Sequence, residues 1–341
     1  MYICADIGGT SARLELFSSE ALLKRGLPLF KKTYDTERVP SFIDLFRSFL
    51  EEANYAGPIH SIVCGIPGDV IRNRVSMQTV SFSFRLIEAI NIAHWGLVDG
   101  EQVVEDKVAS ECWVLNDFEC AAYSLNALTA DDVKIVRMGR CDEGACKVII
   151  GVGTGLGVSF ATSSAGMFIP FPSEAGWIRF TPLTPLDEEL TIFLKANNGW
   201  ESLGFEQVCS GRALANIYKF FRMKDNKEVG DKTPLEICKK FNQCPDCTFA
   251  VQLVLEYLGR FISQLALVFK PAGGFFLTGG LMESLHSLIE ENDSFHRGLK
   301  SQPAVILQDI SDGASVYYIK VPDVGLAGAR AYSIARDNNR A

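Results

Sequence analysis

The chain holds only four histidines and no uninterrupted apolar stretch near the ~18 residues of a membrane-spanning helix. Its longest apolar candidate, Phe249 to Phe269, is broken by Gln252, Glu256, Arg260 and Gln264. The apolar residues there recur at helical spacing, so a buried helix is expected and no membrane partner. Basic clusters are also missing. With 33 Lys+Arg against 41 Asp+Glu the formal charge is −8, and neutralising a phosphate backbone needs clustered cations. Nucleic acid is therefore excluded as a target. A Gly-Lys-Ser/Thr tripeptide is absent, which excludes a Walker-type loop. There is no low-complexity tract and no Pro/Ser-rich linker, so any two domains are expected to share a close hinge. The strand-like start, Tyr2 to Asp6, and the closing Asp-Asn-Asn-Arg-Ala resemble no leader or targeting signal, so a cytoplasmic location is expected.

A length of 341 residues corresponds to roughly two domains, enough to bury about 75% of the unfolded surface without metal or disulfide. An apolar content of 48% with 22% charge is that of a globular protein. Ten cysteines are scattered, several in core-like runs such as those of Cys4, Cys64 and Cys209, and read as reduced thiols. Cys244-Pro-Asp-Cys247 has the spacing of half a zinc site, but no second pair lies nearby, and His286 and His296 are distant. A helix opening near Thr248, capped by Asp246 or Thr248, is the better reading.

Along the chain, residues 2–17 read as two strands around Asp6-Ile-Gly-Gly-Thr10, the second alternating Ala12, Leu14, Leu16 against Arg13 and Glu15. A helix is expected over Ser41 to Ala53, with Phe42, Leu45, Phe46, Phe49 and Leu50 on one face. Buried strands are expected at Ile62 to Ile66, Cys112 to Leu115 and Val148 to Ile150. After Gly151 to Gly157 comes another strand, Val158 to Ala161, and residues 187–269 are mostly helical in pattern. Phe275-Phe-Leu-Thr-Gly-Gly280 precedes a helix, Val316 to Val321 is a last strand, and Gly325 to Ala335 a last helix. A strand, a glycine turn and a second strand occur twice, near residues 8 and 153, as in a loose duplication of one α/β unit.

The element after each glycine cluster decides its chemistry. A dinucleotide-binding turn leads from strand into helix, whereas the first two clusters here lead from strand into strand. They are hairpins whose tips expose backbone N–H groups, and such tips form anion-binding concavities. Asp6, beside Gly8, Gly9 and Thr10, makes sense next to an anion only with a cation between them, and Mg²⁺ held partly through water fits; otherwise it is a turn-forming Asp. Asn116-Asp117 lies between a buried strand and a helix start. Either residue could cap that helix, or a carboxylate at the end of a strand could take a proton from a hydroxyl, as in phosphoryl transfer. Glu174 and Glu206 lie among apolar or small residues, where a carboxylate could accept hydrogen bonds from hydroxyls, although most glutamates are surface acids.

Taken together, these segments resemble the bacterial-type glucokinases, sugar kinases of the superfamily of hexokinase, actin and the heat-shock chaperone ATPases. The resemblance runs over nearly the whole chain, in order. Asp6-Ile-Gly-Gly-Thr-Ser-Ala-Arg13 is similar to the first phosphate motif and Val114-Leu-Asn-Asp-Phe118 to the catalytic segment. Gly151 to Gly157 is similar to the second phosphate motif, Gly274 to Gly280 to the nucleotide-side glycine motif, and Val324 to Ala329 to the closing helix. The resemblance implies an α/β fold of two ribonuclease-H-like (actin-like ATPase) domains around a central cleft. The small domain would be 1–127 plus 322–341, and the large domain 128–321. It further implies phosphorylation of glucose by ATP with Mg²⁺, in a homodimer. Asp117 would be the general base; Asn116, Asp117, Glu174, Trp177 and Glu206 would hold the sugar. Asp6, Gly8, Gly9, Thr10, Gly153, Thr154, Gly155, Gly279 and Gly280 would hold the nucleotide, with Asp6 toward Mg²⁺ through water.

Two departures stand out. The family's Glu-Gly-Gly-His segment reads Glu174-Ala-Gly-Trp177, and its Asn-His-x-Trp stretch reads Met77-Gln78-Thr79-Val80. An indole donates one hydrogen bond but accepts none. Kinase chemistry is thus read more firmly than the sugar; another hexose (mannose, an amino sugar, fructose) or a sugar sensor without turnover are the alternatives.

Overall fold

The computed structural model describes the chain except residues 78–91, 229, 306, 308–309, 311–312 and 339–341. It divides into two compact units: residues 1–128, 167–170 and 322–341, and residues 129–166 and 171–321.

The first unit is built on β1 (Tyr2–Ile7), β2 (Ser11–Phe17), β3 (Phe30–Asp35), β4 (Ser61–Ile66) and β7 (Glu111–Asn116), with a small β5 (Arg74–Ser76) and β6 (Leu97–Asp99) pair. The strand order is β3-β2-β1-β4-β7, with β1–β2 and β2–β3 antiparallel and β1, β4 and β7 parallel. Its helices in chain order are α1 (Ser19–Leu23), α2 (Phe42–Glu52), α3 (Gly100–Glu105) and α4 (Asp117–Tyr123). Alternation along β1 sends Ile3, Ala5 and Ile7 to one core and Tyr2 and Cys4 to another. The first core receives Phe42, Leu45, Phe46 and Phe49 of α2, whose Ser41 caps it by accepting the Asp44 N–H. Each such fully buried phenylalanine contributes about 1.5–3 kcal/mol.

The second unit repeats the arrangement. Its sheet contains β8 (Val133–Arg137), β9 (Lys147–Val152), β10 (Leu156–Ser164), β11 (Met167–Ser173, of which residues 171–173 belong to this unit), β12 (Phe275–Thr278) and β13 (Val316–Ile319), ordered β11-β10-β9-β12-β13-β8. Here too an antiparallel hairpin, β9–β10, is followed by parallel β12 and β13, and β8 is added antiparallel beyond them. The duplication read from the glycine turns is therefore a repeat of sheet topology. The helices are α5 (Pro185–Asn198), α6 (Gly211–Lys224), α7 (Pro234–Lys239), α8 (Pro245–Phe269), α9 (Gly280–Leu285) and α10 (Ser294–Leu299). A last helix, α11 (Val324–Asn338), returns to the first unit and packs on its second core through Leu326, Ala329 and Ala331.

Helix α8 is long and apolar enough to cross a membrane by length and composition, but 72% of its most apolar window is buried inside the fold. It is the core helix of its unit. It opens at Pro245, not near Thr248: a proline in the first turn loses no helical hydrogen bond. Cys244 occupies the capping position without a side-chain cap, Asp246 pairs with Arg222 and Lys227, and Thr248 accepts the Asn242 N–H. From α8, Tyr257 and Arg260 each donate to the buried Asp187 of α5 at 2.7 Å, and the Leu183 and Thr184 N–H groups complete the set. Burial pushes that carboxyl up, but Arg260 and the hydrogen bonds outweigh it and hold it below the ordinary range.

Candidate active site

In the first unit the glycine hairpin joins β1 to β2, with Ile7 opposite Ala12 and Asp6 opposite Arg13. Gly8 closes the turn by donating to the Ser11 carbonyl at 2.8 Å. The tip is held from the side by Thr36, whose hydroxyl donates to the Gly9 carbonyl at 3.0 Å and whose N–H reaches the Thr10 carbonyl at 3.3 Å. Asp6 is ion-paired with Arg13, and Arg13 also pairs with Asp323, which Lys31 joins at 3.0 Å. Burial pushes the Asp6 carboxyl above its ordinary value; Arg13 opposes the rise and Asp323 adds to it. Gly325, at the start of α11, makes room for this carboxylate: a Cβ there would lie 2.6–2.8 Å from its carboxyl atoms.

At the end of β7, Asn116 is the cap of α4. Its Oδ1 accepts the Phe118 and Glu119 N–H groups at 3.0 and 3.1 Å, and its amide donates to the Gly68 carbonyl at 3.0 Å. The capping alternative thus holds for Asn116, and this frame fixes Asp117 as the first residue of the helix, accepting the Phe118 N–H at 2.9 Å. Gly65 lets α4 approach β4: a Cβ there would lie 2.9 Å from the Cys120 Cβ and 3.4 Å from the Asp117 Cα.

In the second unit Gly153, Thr154 and Gly155 form the tip between β9 and β10, with Val152 opposite Leu156. A Cβ at Gly153 would meet nothing within 4 Å, so the tip is open on that side. Leu156, the residue after the tip, joins the two acidic turns. Its N–H donates to Glu206 Oε2 at 3.0 Å, and its carbonyl lies 2.1 Å from where a Gly176 Cβ would be. Gly176 is the middle of the turn Ala175–Trp177, immediately after the exposed Glu174, and Gly204 packs on the Trp177 backbone beside the turn carrying Glu206. Glu206, Glu174, Trp177 and the hairpin tip are brought to one place by these contacts. Glu206 is also paired with Arg212 at 3.0 Å. Gly279, at a φ of +102°, turns β12 into α9; a side chain there would lie 2.6 Å from the Val152 carbonyl at the foot of the hairpin. Gly280 opens α9.

Sequence reasoning did not select Arg13, Asp323, Gly325, Thr36 or Arg212 as site residues. Arg13 carried a readable signal, since a hairpin around Gly8–Ser11 places it opposite Asp6. The others come from distant parts of the chain. Of the Met77–Val80 stretch, Met77 is buried in the first unit's core, and residues 78–80 lie outside the described residues. Among the described residues no group of three or more His, Cys, Asp or Glu could hold a metal ion by itself.

The glucokinase family model matches residues 3–336. The chain belongs to the glucokinase family. Curated glucokinases align over almost all of it. The protein of Chelativorans sp. is 27% identical over 333 residues, covering 97% of this chain and 90% of its own. That of Yersinia pestis strain Pestoides F is 28% identical over 336 residues, covering 97% and 95%. Among solved structures, glucokinase from an Antarctic psychrotroph superposes with a TM-score of 0.76 at 21% identity, over 97% of this chain and 98% of that one. Glucokinase from Balamuthia mandrillaris in complex with glucose gives 0.78 at 19%, over 98% and 93%. A ROK family glucokinase from Streptomyces griseus in complex with glucose and AMPPNP gives 0.63 at 20%, over 97% and 98%. The family and the doubly repeated actin-like ATPase fold agree with the resemblance drawn from the motifs. As a glucokinase-family member the chain is a hexose kinase, of the kind that phosphorylates glucose.

Proposed function

We propose that this glucokinase-family chain transfers the γ-phosphoryl group of ATP to the 6-hydroxyl of glucose, with Asp117 as general base. The observation that carries the reading is the frame around Asp117. The Asn116 cap and the Gly68 carbonyl fix the backbone at the end of β7, so a carboxylate stands at the start of a helix with its position set on both sides. Phosphoryl transfer asks the protein for positioning and charge stabilisation more than for covalent chemistry. Asp117 accepts the hydroxyl proton as that oxygen attacks phosphorus. Asn116 keeps one amide hydrogen beyond its Gly68 bond for a sugar hydroxyl, and Glu174, Trp177 and Glu206 complete the sugar's surroundings. The N–H groups of Gly9, Thr10, Thr154 and Gly155 cradle phosphate oxygens, in turns that Gly8 and Gly153 close by donating to the Ser11 and Gly155 carbonyls, with Gly279 and Gly280 on the nucleotide side.

The residues present fit Mg²⁺ as a partner of the nucleotide. Asp6 sits in a cradle that a Gly325 Cβ would fill, and a lone carboxylate suits Mg²⁺ held mainly by phosphates and water. When bound, the ion neutralises charge on the phosphates. Arg13 holds the Asp6 carboxylate in place on the other side. Membership of the family also supports a homodimer, a cytoplasmic location and a place in glycolysis as parts of this reading. A second reading keeps the chemistry and changes the hexose; Trp177, where the family pattern has a His, favours it.

The test is ADP release measured across glucose, mannose, fructose, glucosamine and 2-deoxyglucose. Glucose should give the highest kcat/KM. A protein that ignores glucose and turns over another hexose overturns the substrate assignment, and one that releases no ADP with any of them overturns kinase activity.

A further inference from the structure

The second hairpin has donors but no cation near its tip: Gly151 to Gly157 contains no Lys or Arg. A cation does reach it from α6. Ser210 caps this 14-residue helix by accepting the Ala213 N–H, and the Gly211 N–H donates to the Gly153 carbonyl at 2.8 Å. The helix therefore starts against the hairpin tip, and a Gly211 Cβ would lie 3.0 Å from the Gly153 carbonyl oxygen. Arg212 is the next residue. A positive side chain in the first turn opposes the helix dipole, whose N-terminal end is positive, so it is stabilised there only by a nearby anion. Glu206 supplies that anion at 3.0 Å, while 40% of the Arg212 side chain stays exposed.

Glu206 cannot give all of its acceptor capacity to Arg212 and also serve a sugar. Oε2 already takes the Leu156 N–H, and Oε1 is the atom on Arg212. A second anion at the hairpin tip would be a better partner for the guanidinium, which binds phosphate through two parallel hydrogen bonds. On the reading of Gly153–Gly155 as a phosphate cradle, we infer that Arg212 is a phosphate-binding residue of this enzyme, exchanging Glu206 for the phosphate chain of the nucleotide. The exchange leaves Oε1 of Glu206 open to a sugar hydroxyl while Oε2 stays on the Leu156 N–H. Nucleotide and sugar then favour each other's binding, because each removes the need for the Arg212–Glu206 pair.

The experiment compares wild type with Arg212→Gln, Arg212→Lys and Glu206→Gln. It measures nucleotide affinity without sugar, by titrating a fluorescent non-hydrolysable ATP analogue, together with the KM for ATP and for glucose. Arg212→Gln should weaken the nucleotide by about tenfold to a hundredfold, the range for one charge-assisted hydrogen bond. Arg212→Lys should recover part of it. Glu206→Gln, which releases the guanidinium, should tighten the nucleotide while weakening glucose, and this arm stands even if Arg212→Gln fails to fold. Unchanged nucleotide affinity in Arg212→Gln with a raised KM for glucose alone would overturn the inference, because Arg212 would then only position Glu206. Nucleotide binding weakened by Glu206→Gln would overturn it as well. A wild-type protein that neither binds the analogue nor phosphorylates a hexose would instead refute the kinase reading on which the inference rests.

Discussion

The two hairpins share a topology and differ in what braces them. In β1–β2 the second pair below the tip is Asp6 and Arg13; at the same step of β9–β10 it is Gly151 and Gly157. The first hairpin thus carries its carboxylate and its cation on its own strands, while the second borrows both, Glu206 and Arg212, from a neighbouring turn and helix. A side chain on a strand is fixed by the ladder. A side chain on a separate turn can change partners without disturbing the sheet. One folding unit, used twice, therefore has a fixed charge site in one copy and an exchangeable one in the other. Changes in the first unit should act on turnover, and changes at the second hairpin on affinity.

The largest effect expected is at Asp117. Asp117→Ala should lower kcat by roughly 10²–10⁴, the range of a general base, with an unchanged thermal midpoint because Asn116 still caps α4. If kcat stays within about threefold of wild type, far outside that range, the residue is part of the cap and not the base.

Next is Asp6, on the fixed hairpin. Asp6→Asn should raise the Mg²⁺ concentration needed for half-maximal rate by about 10- to 100-fold, the range for an outer-sphere partner of a metal. Stability should behave differently. Its folded pKa is raised above the unfolded value of 3.8, so its ionisation works against folding as pH rises through that window and above. Asp6→Asn should therefore melt no lower than wild type at neutral pH. Asp187 is the opposite case: its folded pKa is lowered, so its contribution is present above 3.8 and lost as pH falls through the folded value. Asp187→Asn should melt lower at neutral pH, by thermal denaturation, and the difference should shrink in acid. Equal behaviour of the two variants would break the distinction between a carboxylate kept for chemistry and one kept for the fold.

The exchangeable hairpin is probed by its two glycines. A Cβ at Gly155 would lie 2.7 Å from Glu206 Oε2, so Gly155→Ala should displace Glu206 and raise the KM for glucose. Losing one such hydrogen bond costs about 1–3 kcal/mol, or roughly 5- to 150-fold. Gly153→Ala meets nothing within 4 Å and should affect the nucleotide alone. The smallest effect is expected at Trp177. Trp177→His should sharpen the preference for glucose over its epimers and deoxy analogues by about fivefold, the low end for pairing one sugar hydroxyl. Unchanged kcat/KM ratios would mean that the indole has no part in sugar choice.

The strands that sequence reading found and those it missed differ in one respect. Those found inside the sheets, β1, β4, β9 and β12, are nearly continuous in burial and β2 alternates cleanly, while β7, found although it lies at a sheet edge, keeps Cys112, Val114 and Leu115 buried. Those missed, β3, β8, β11 and the two-stranded pair β5 and β6, all lie at a sheet edge. An edge strand has one unpaired side and less buried surface, so its composition carries charges, as Lys31 and Lys32 do in β3, or prolines, as Pro170 and Pro172 do in β11. Short-range pattern is silent on such segments because their conformation is imposed by the neighbouring strand.

By itself the sequence determined the two glycine hairpins, the central strands, the place of Asp117 after β7 and the family, because each depends on residues adjacent in the chain or on their order. The tertiary structure alone decided that Gly325 leaves room for Asp6, that Thr36 holds the Gly9 carbonyl, that Leu156 binds Glu206, and that α6 brings Arg212 to that carboxylate. These are contacts between residues tens to hundreds of positions apart, or, for Arg212, a charge placed by where a helix begins. No local periodicity encodes them; they exist only once the sheet and its helices have packed.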